Sequence, residues 1–185
     1  MQANVTILPG YRMNTIASLH EQFSCRTDTV SALVEHQCAR VDDPQGEGSR
    51  AFLSLDQAAV RAAAASAQER FDNRTVRTLE GITIVIKDLF DVEDEVTAAG
   101  SVVLRSRPAA VADCEAVARL RAAGAIAFGR SNMVEFAYSG VGINPHYGTP
   151  RNVWGRETDG GGRVPGGSTS GGGVAVADGR AVAAL

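Results

Sequence analysis

The stretch Gly81-Ile82-Thr83-Ile84-Val85-Ile86-Lys87 decides the fold, because it joins an apolar, β-branched run to one basic residue. Residues 82–86 are too short and too rich in isoleucine and valine to favour a helix, so they predict a strand. Lys87 is the only lysine in the chain, against seventeen arginines. Arginine stays protonated, whereas a desolvated lysine can lose its proton and act as a base. Lys87 is therefore either a base or an ordinary lysine at the exposed end of a strand.

Helices and strands alternate along the rest of the chain. The sequence first predicts a helix from Thr29 to Val41 with Asp28 as N-cap, a strand at 51–55, and a helix from the N-cap Asp56 to about Phe71. Further along it predicts a helix at 113–123 closed by Gly124, a strand at 125–128, and a short helix capped by Ser131. Strands separated by helices indicate an α/β fold, with a mixed, mostly parallel central sheet and helices on both faces.

Composition bounds the class of protein. A hydrophobic share of 44% supports a packed core, and a net charge of -3 with 5% aromatic residues gives no reason to expect nucleic acid as a partner. Residues 1–10 lack the pattern of a signal peptide, and no window is apolar enough for a membrane span. The three cysteines are odd in number and scattered, which is typical of free thiols. These features predict a soluble cytoplasmic protein that binds no membrane.

Glycine is concentrated near the C-terminal end, with nine glycines among the nineteen residues 155–173. Such a stretch is either a flexible linker or a structured loop that needs positive φ or close backbone approach. The Ala/Val segment 174–185 follows it and should pack. We therefore expect a structured loop that leads into a helix.

Several familiar sites are absent from the sequence. It contains no phosphate-binding P-loop, no zinc-protease motif, no zinc-binding cysteine spacing and no hydrolase nucleophile elbow. The acidic cluster Asp91, Glu93, Asp94 and Glu95 is either a metal or acid/base site or a solvated turn, and its position just after a strand favours the turn. His146, beside Pro145, is interpreted as a loop or packing residue.

Four segments in this order resemble the amidase signature family. They are 81–88, 129–136, 144–152 and Pro165-Gly166-Gly167-Ser168-Thr169-Ser170-Gly171-Gly172-Gly173. The resemblance runs from about Asp28 to Leu185 at compatible spacing. It implies part of the amidase-signature fold, with residues 1–185 as the N-terminal part of a single domain.

The resemblance implies a Ser–Ser–Lys hydrolytic triad, in which a neutral lysine takes a proton from a bridging serine that activates a nucleophilic serine. Carried over to this chain, Lys87 is the base and Ser168 is the bridging serine, with a cis peptide bond before it. We expect the Lys87 amine to be buried and to lie about 2.6–3.2 Å from the Ser168 hydroxyl. Thr169 stands where the family often has serine, so a hydroxyl is kept.

The same resemblance assigns a substrate-binding role to Tyr138 and Ser139, in the segment that lines the acyl pocket. It implies a small-molecule amide substrate and neither a metal nor an organic cofactor. It is compatible with a homodimer of the full-length enzyme.

The nucleophilic serine of the family is missing from the sequence. In the family it lies twenty-four residues after the bridging serine, in an Asp-x-Gly-Gly-Ser motif whose amides form the oxyanion hole; here that place is position 192, beyond Leu185. We therefore expect an incomplete chain that is inactive alone, cut from an enzyme that hydrolyses carboxamide C–N bonds through an acyl-serine. The alternatives are a fragment of the glutaminase component of a tRNA-dependent amidotransferase and a short non-catalytic binding protein.

Overall fold

A four-stranded sheet forms the centre of the computed structural model, which describes residues 15–157 and 162–185. The strands are β1 (Phe52–Ser54), β2 (Thr83–Lys87), β3 (Ile126–Ser131) and β4 (Ala183–Ala184), and their order across the sheet is β1-β3-β2-β4. β2 runs parallel to both of its neighbours, β3 and β4, and β1 is antiparallel to β3. The α/β fold with a mostly parallel sheet is as predicted.

Helices connect and cover the strands. In chain order they are α1 (Ile16–Cys25), α2 (Val30–Asp42), α3 (Gly48–Ala51), α4 (Gln57–Asp72), α5 (Glu115–Ala122) and α6 (Ser170–Ala177), with a 3₁₀ turn at Glu135–Ala137. None of the helices in the two described stretches has the length and apolar character that crossing a bilayer needs.

β2 lies at the heart of the core, and all five of its residues are buried. Val85 of β2 and Phe128 of β3 are fully inaccessible to solvent. Burying one such side chain contributes about 1.5–3 kcal/mol relative to leaving it exposed. A central parallel strand needs this apolar character because both of its faces are covered. The end of β2 is therefore held in a fixed place, and Lys87 with it.

The boundaries of the predicted helices follow the sequence with two corrections, and α1 and α3 were not predicted. The Thr29 side chain, and not that of Asp28, caps α2 by accepting a hydrogen bond from the Ala32 amide, while Asp28 accepts one from the Thr29 amide. Ser131 does not cap a helix, because the next helical turn begins at Glu135 with Val134 in the cap position, and Ser131 is the last residue of β3. Gly124 does follow α5 with a positive φ of 101°, as its predicted closing role requires.

The glycine-rich stretch, where described, leads directly into α6, as expected; residues 158–161 of that stretch lie outside the described residues. Gly171 shows why glycine is needed here. A Cβ on this residue would lie 2.2 Å from the Ala51 carbonyl oxygen. The backbone of α6 can therefore approach the end of α3 only because Gly171 has no side chain.

Candidate active site

Lys87 is fixed at the carboxyl end of β2 by backbone pairing on both sides. It is the register partner of Ser131 in β3, and its amide donates to the Leu185 carbonyl oxygen at 3.0 Å. Only 8% of Lys87 is exposed to solvent. This burial lowers the pKa of the lysine amine, since desolvation disfavours the ammonium form. The setting favours the neutral amine that a base requires.

Ser168 reaches the same point from a loop 81 residues later in the chain. The Ser168 carbonyl oxygen accepts from the Val134 amide at 3.0 Å, and the Gly167 amide donates to the Gly140 carbonyl oxygen at 2.8 Å. The peptide bond between Gly167 and Ser168 is cis, as expected. The loop is thus held by backbone bonds on both sides of that peptide.

The Lys87 Nζ and the Ser168 Oγ are 2.6 Å apart. This distance falls in the range of about 2.6–3.2 Å expected for a proton-transfer pair, so the predicted geometry is confirmed. A neutral amine at this distance can accept the serine proton, and the serine oxygen can in turn accept a proton from a third group. The arrangement has the spacing of a two-member proton relay, and the catalytic roles of Lys87 and Ser168 stay predictions.

A buried ion pair lies next to Lys87 in the chain. Asp88 accepts from the Arg130 guanidinium at 3.2 Å, and both side chains are 4% exposed. Its two carboxylate oxygens also accept from the amides of Ala98 and Gly100, at 3.2 and 2.8 Å. A buried charge is tolerated when it is paired and hydrogen-bonded, as here. Asp88 therefore holds the 98–100 loop against the end of the sheet, although no sequence pattern indicated a role for Asp88 or Arg130.

A second polar array ties three loops together beside the site. The Ser101 hydroxyl donates to the Glu135 carboxylate at 2.6 Å, and the His146 ring contacts the other oxygen of that carboxylate at 3.3 Å. The hydrogen bond from Ser101 lowers the pKa of Glu135, outweighing the raising effect of burial, and His146 adds to the lowering. His146 is thus the loop residue that its position suggested, now with a carboxylate partner.

The predicted substrate-binding residues fall on the segment that flanks Ser168. The Ser139 carbonyl oxygen would lie 3.0 Å from a Cβ placed on Gly167, so this backbone runs directly beside the residue before Ser168. The Ser139 hydroxyl accepts from the Val141 amide at 3.1 Å. Tyr138 is 93% exposed. Roles of Tyr138 and Ser139 in binding substrate stay predictions.

The acidic segment after β2 lies mostly at the surface. Asp91, Glu93 and Asp94 are exposed, and Asp94 has a positive φ of 64°. Glu95 differs, since it is partly buried and lies 3.6 Å from the Arg130 guanidinium. Within residues 15–157 and 162–185, no group of three or more His, Cys, Asp or Glu side chains is arranged to hold a metal ion.

A buried carboxylate anchors the start of the glycine-rich stretch. Glu47 has no solvent exposure, and it accepts from Arg50 at 2.8 Å and from Arg151 at 2.6 Å. Burial by itself raises the pKa of Glu47, but the hydrogen bonds and charges of these arginines outweigh it, and the net pKa is lowered. Further along, Arg156 pairs with Asp178 just after α6, and Asp178 also pairs with Arg180. The chain is thus fixed near both ends of the loop that carries Ser168.

These features define a class of protein: an α/β scaffold with a buried lysine–serine pair at the carboxyl end of its central parallel strand. The family model for amidase matches residues 32–185, and the chain belongs to this family, the amidase signature family. The membership accords with the resemblance drawn from the four sequence segments.

Relatives and solved structures agree with the family. The glutamyl-tRNA(Gln) amidotransferase of Lacticaseibacillus paracasei has a component that is 37% identical over 178 residues, which is 95% of this chain and 34% of that protein. The AtzE component of 1-carboxybiuret hydrolase from Pseudomonas sp. (strain ADP) is 46% identical over 102 residues, 55% of this chain and 21% of that protein. The native peptide amidase from Stenotrophomonas maltophilia superposes with a TM-score of 0.77 and 28% identity, over 93% of this chain and 35% of its own. The chain spans about a third or less of the length of these proteins.

Proposed function

We propose that this chain supplies the base and the bridging serine of an amidase that cleaves carboxamide C–N bonds through an acyl-serine intermediate. The observation that carries the proposal is the distance of 2.6 Å between the Lys87 Nζ and the Ser168 Oγ in a buried setting. Burial lowers the pKa of Lys87, which favours the neutral base. Membership of the amidase family adds the reaction class.

The proposed reaction begins with two proton transfers. Neutral Lys87 takes the hydroxyl proton of Ser168, and Ser168 takes the hydroxyl proton of the nucleophilic serine. The nucleophile then attacks the amide carbon, and the C–N bond breaks as the leaving nitrogen receives a proton from the relay. Water attacks the carbon of the resulting ester while the same relay accepts its proton, and the ester C–O bond then breaks as the relay passes that proton to the nucleophilic serine oxygen, which releases the carboxylic acid. Each proton is returned, so the cycle needs no metal or organic cofactor.

The nucleophile of this scheme is not among the 185 residues. Family resemblance places it at position 192, and no Asp-x-Gly-Gly-Ser motif occurs in the sequence given. Removing a single oxyanion-hole donor costs about 10²–10³ in kcat, before the absent nucleophile is considered. We therefore propose that the polypeptide 1–185 is inactive by itself and that activity belongs to a longer chain containing it.

Hydrolysis assays on the natural full-length polypeptide test the proposal. The substrates are acetamide, benzamide, indole-acetamide and glutamine, and the measured quantity is release of ammonia. Lys87→Ala and Ser168→Ala should each lower kcat by about 100-fold or more, since each removes a relay member. Ser106→Ala removes an exposed hydroxyl and serves as the matched control. Full activity in either relay variant, with the control also active, would rule out the proposed relay.

A second candidate function is that of the glutaminase component in a tRNA-dependent amidotransferase. The specific observation in its favour is 37% identity, over 95% of this chain, to a component of such an enzyme. The relay would be the same, and the substrate would be glutamine. This function is favoured if glutamine is hydrolysed, no other tested amide is hydrolysed, and the reaction occurs only when partner proteins are present. Hydrolysis of several unrelated amides by the isolated protein favours the amidase.

Three finer properties accompany the proposal. Cys25, Cys38 and Cys114 are free thiols, which suits a reducing compartment such as the cytoplasm. The substrate is a small amide, and a homodimer of the full-length enzyme is compatible with the family. Sedimentation of the full-length protein measures its oligomeric state directly.

A further inference from the structure

Ser131 carries a hydroxyl that the relay described above leaves unused. Ser131 is fully buried, and its Oγ has no hydrogen-bond partner among the residues that the structure describes. A buried polar group without a partner costs about 1–3 kcal/mol, so such groups are uncommon and call for an explanation. The sequence suggested only a helix cap, and the structure excludes that role because the next helical turn has Val134 in its cap position.

The position of Ser131 relates it to Lys87. The two residues are register partners on the parallel strands β3 and β2. Side chains of register partners lie on the same face of a sheet, on strands about 4.8 Å apart. Lys87 contacts Ser168, just before α6, and the Ser131 Oγ would lie 3.6 Å from a Cβ on Gly172, in the first turn of α6. Both side chains therefore project from the sheet towards the start of the same helix.

The Lys87 amine needs more hydrogen-bond acceptors once it has taken a proton than it needs in its neutral form. The ammonium form has three N–H donors. Ser168 is the one partner of the Lys87 amine within residues 15–157 and 162–185, and it becomes a proton donor and acceptor in turn during the reaction. The neighbouring charges of Asp88 and Arg130 are already committed to each other. A buried ammonium with unfilled donors is costly, so a further acceptor would stabilise it.

We propose that Ser131 is a positioning residue of the relay, whose hydroxyl oxygen accepts a hydrogen bond from the Lys87 ammonium formed when Lys87 takes the Ser168 proton. Ser131 neither gains nor loses a proton in this step, since the proton moves from the Ser168 oxygen to the Lys87 nitrogen alone. The proposal requires the Ser131 hydroxyl, which has no partner among the described residues, to turn towards the Lys87 ammonium. The inference rests on the proposed function for its catalytic consequence, but the contact itself is independent of activity.

The test is the titration of Lys87 by NMR in the natural full-length protein grown with ¹³C-labelled lysine. Lys87 is the only lysine in these 185 residues, and loss of a signal in Lys87→Arg assigns it. In Ser131→Ala the titration midpoint should move to lower pH, because the ammonium loses an acceptor. On the alkaline plateau of the pH profile, kcat for amide hydrolysis should fall by about 10- to 100-fold, the range for one hydrogen bond to a charged group. Ser131→Thr keeps the hydroxyl and should restore both the wild-type titration midpoint of Lys87 and the wild-type kcat.

Thr83→Val is the matched control, since it removes another fully buried hydroxyl at the opposite end of β2 from Lys87. It should leave the Lys87 titration unchanged. An unchanged midpoint in folded Ser131→Ala, or an equal shift in Thr83→Val, overturns the proposal and leaves Ser131 as a space-filling residue beside Gly172. If Ser131→Ala does not fold, Ser131→Cys replaces it with the same expectations, because its thiol is a weak acceptor. A wild-type protein that hydrolyses no amide refutes the proposed function, and the NMR titration still decides the contact.

Discussion

Lys87→Arg in the natural full-length polypeptide tests whether Lys87 is a base or only a positive charge. The lysine is 8% exposed, its amine lies 2.6 Å from the Ser168 oxygen, and burial lowers its pKa. A guanidinium keeps the charge but stays protonated at any accessible pH. Arg cannot accept the serine proton, so the variant should be almost as inactive as Lys87→Ala.

The magnitude follows from the proposed role of Lys87 as a base. Transfer of a proton by a positioned base contributes about 10²–10⁴ to the rate, equivalent to about 2.7–5.5 kcal/mol of barrier. We expect both Lys87 variants to lose kcat in this range. KM should change much less, because the amine contacts Ser168 and the loss is confined to proton transfer.

The assay is steady-state hydrolysis of the best amide substrate, with circular dichroism to show that each variant is folded. Arg74→Lys, at an exposed position, is the control for an exchange of the same two residue types. Retention of more than about a tenth of kcat by folded Lys87→Arg refutes the reasoning, since a residue that cannot be deprotonated would then be sufficient.

Three further outcomes are expected. Glu47→Gln should lower the free energy of unfolding by about 1.5–3 kcal/mol near neutral pH, because it removes the buried charge that accepts hydrogen bonds from the partly exposed Arg50 and Arg151. The folded pKa of Glu47 lies below its ordinary value of 4.5. The stability that ionised Glu47 contributes is therefore present above about pH 4.5 and is lost as the pH falls through the folded pKa. Chemical denaturation at several pH values should show this loss in the wild type and not in Glu47→Gln. Gly171→Ala should destabilise the fold by about 1–3 kcal/mol in thermal unfolding, since its Cβ would lie 2.2 Å from the Ala51 oxygen, and an unchanged midpoint contradicts that contact. Purified residues 1–185 should hydrolyse no amide above background, and turnover that disappears in Lys87→Ala would require another nucleophile.

The parts of the fold that local sequence determines were predicted well. The β-branched run before Lys87 gave the central strand to within one residue, because burial on both faces demands such a run. Asp56 caps α4 as expected, since its carboxylate accepts from the Ala59 amide within the same turn. The approach of Lys87 to Ser168 came from resemblance to a family, because no local pattern relates residues 81 positions apart.

The failures occur where tertiary structure competes with a local signal. Ser131 has a side chain suited to capping a helix, but pairing with β2 extends β3 through it. Asp28 and Thr29 are adjacent and both can cap, so sequence alone could not choose between them. The pairing of Glu47 with Arg151 joins residues 104 positions apart, and nothing in the composition around Glu47 marks it. The segment 174–185 does pack, but as a helix and a separate strand divided near Asp178.

The placement of β2 between β3 and β4 has a consequence for the order in which a nascent chain acquires its structure. β2 and β3 are both made well before α6, so their pairing can form while synthesis continues. The other edge of β2 is paired by residues 182–185 within the described part of the chain, through bonds that include the Lys87 amide to the Leu185 oxygen. Ser168 and α6 also emerge late. We therefore expect Lys87 to reach its buried setting only after the segment from Ser168 to Leu185 has been made and has packed against β2.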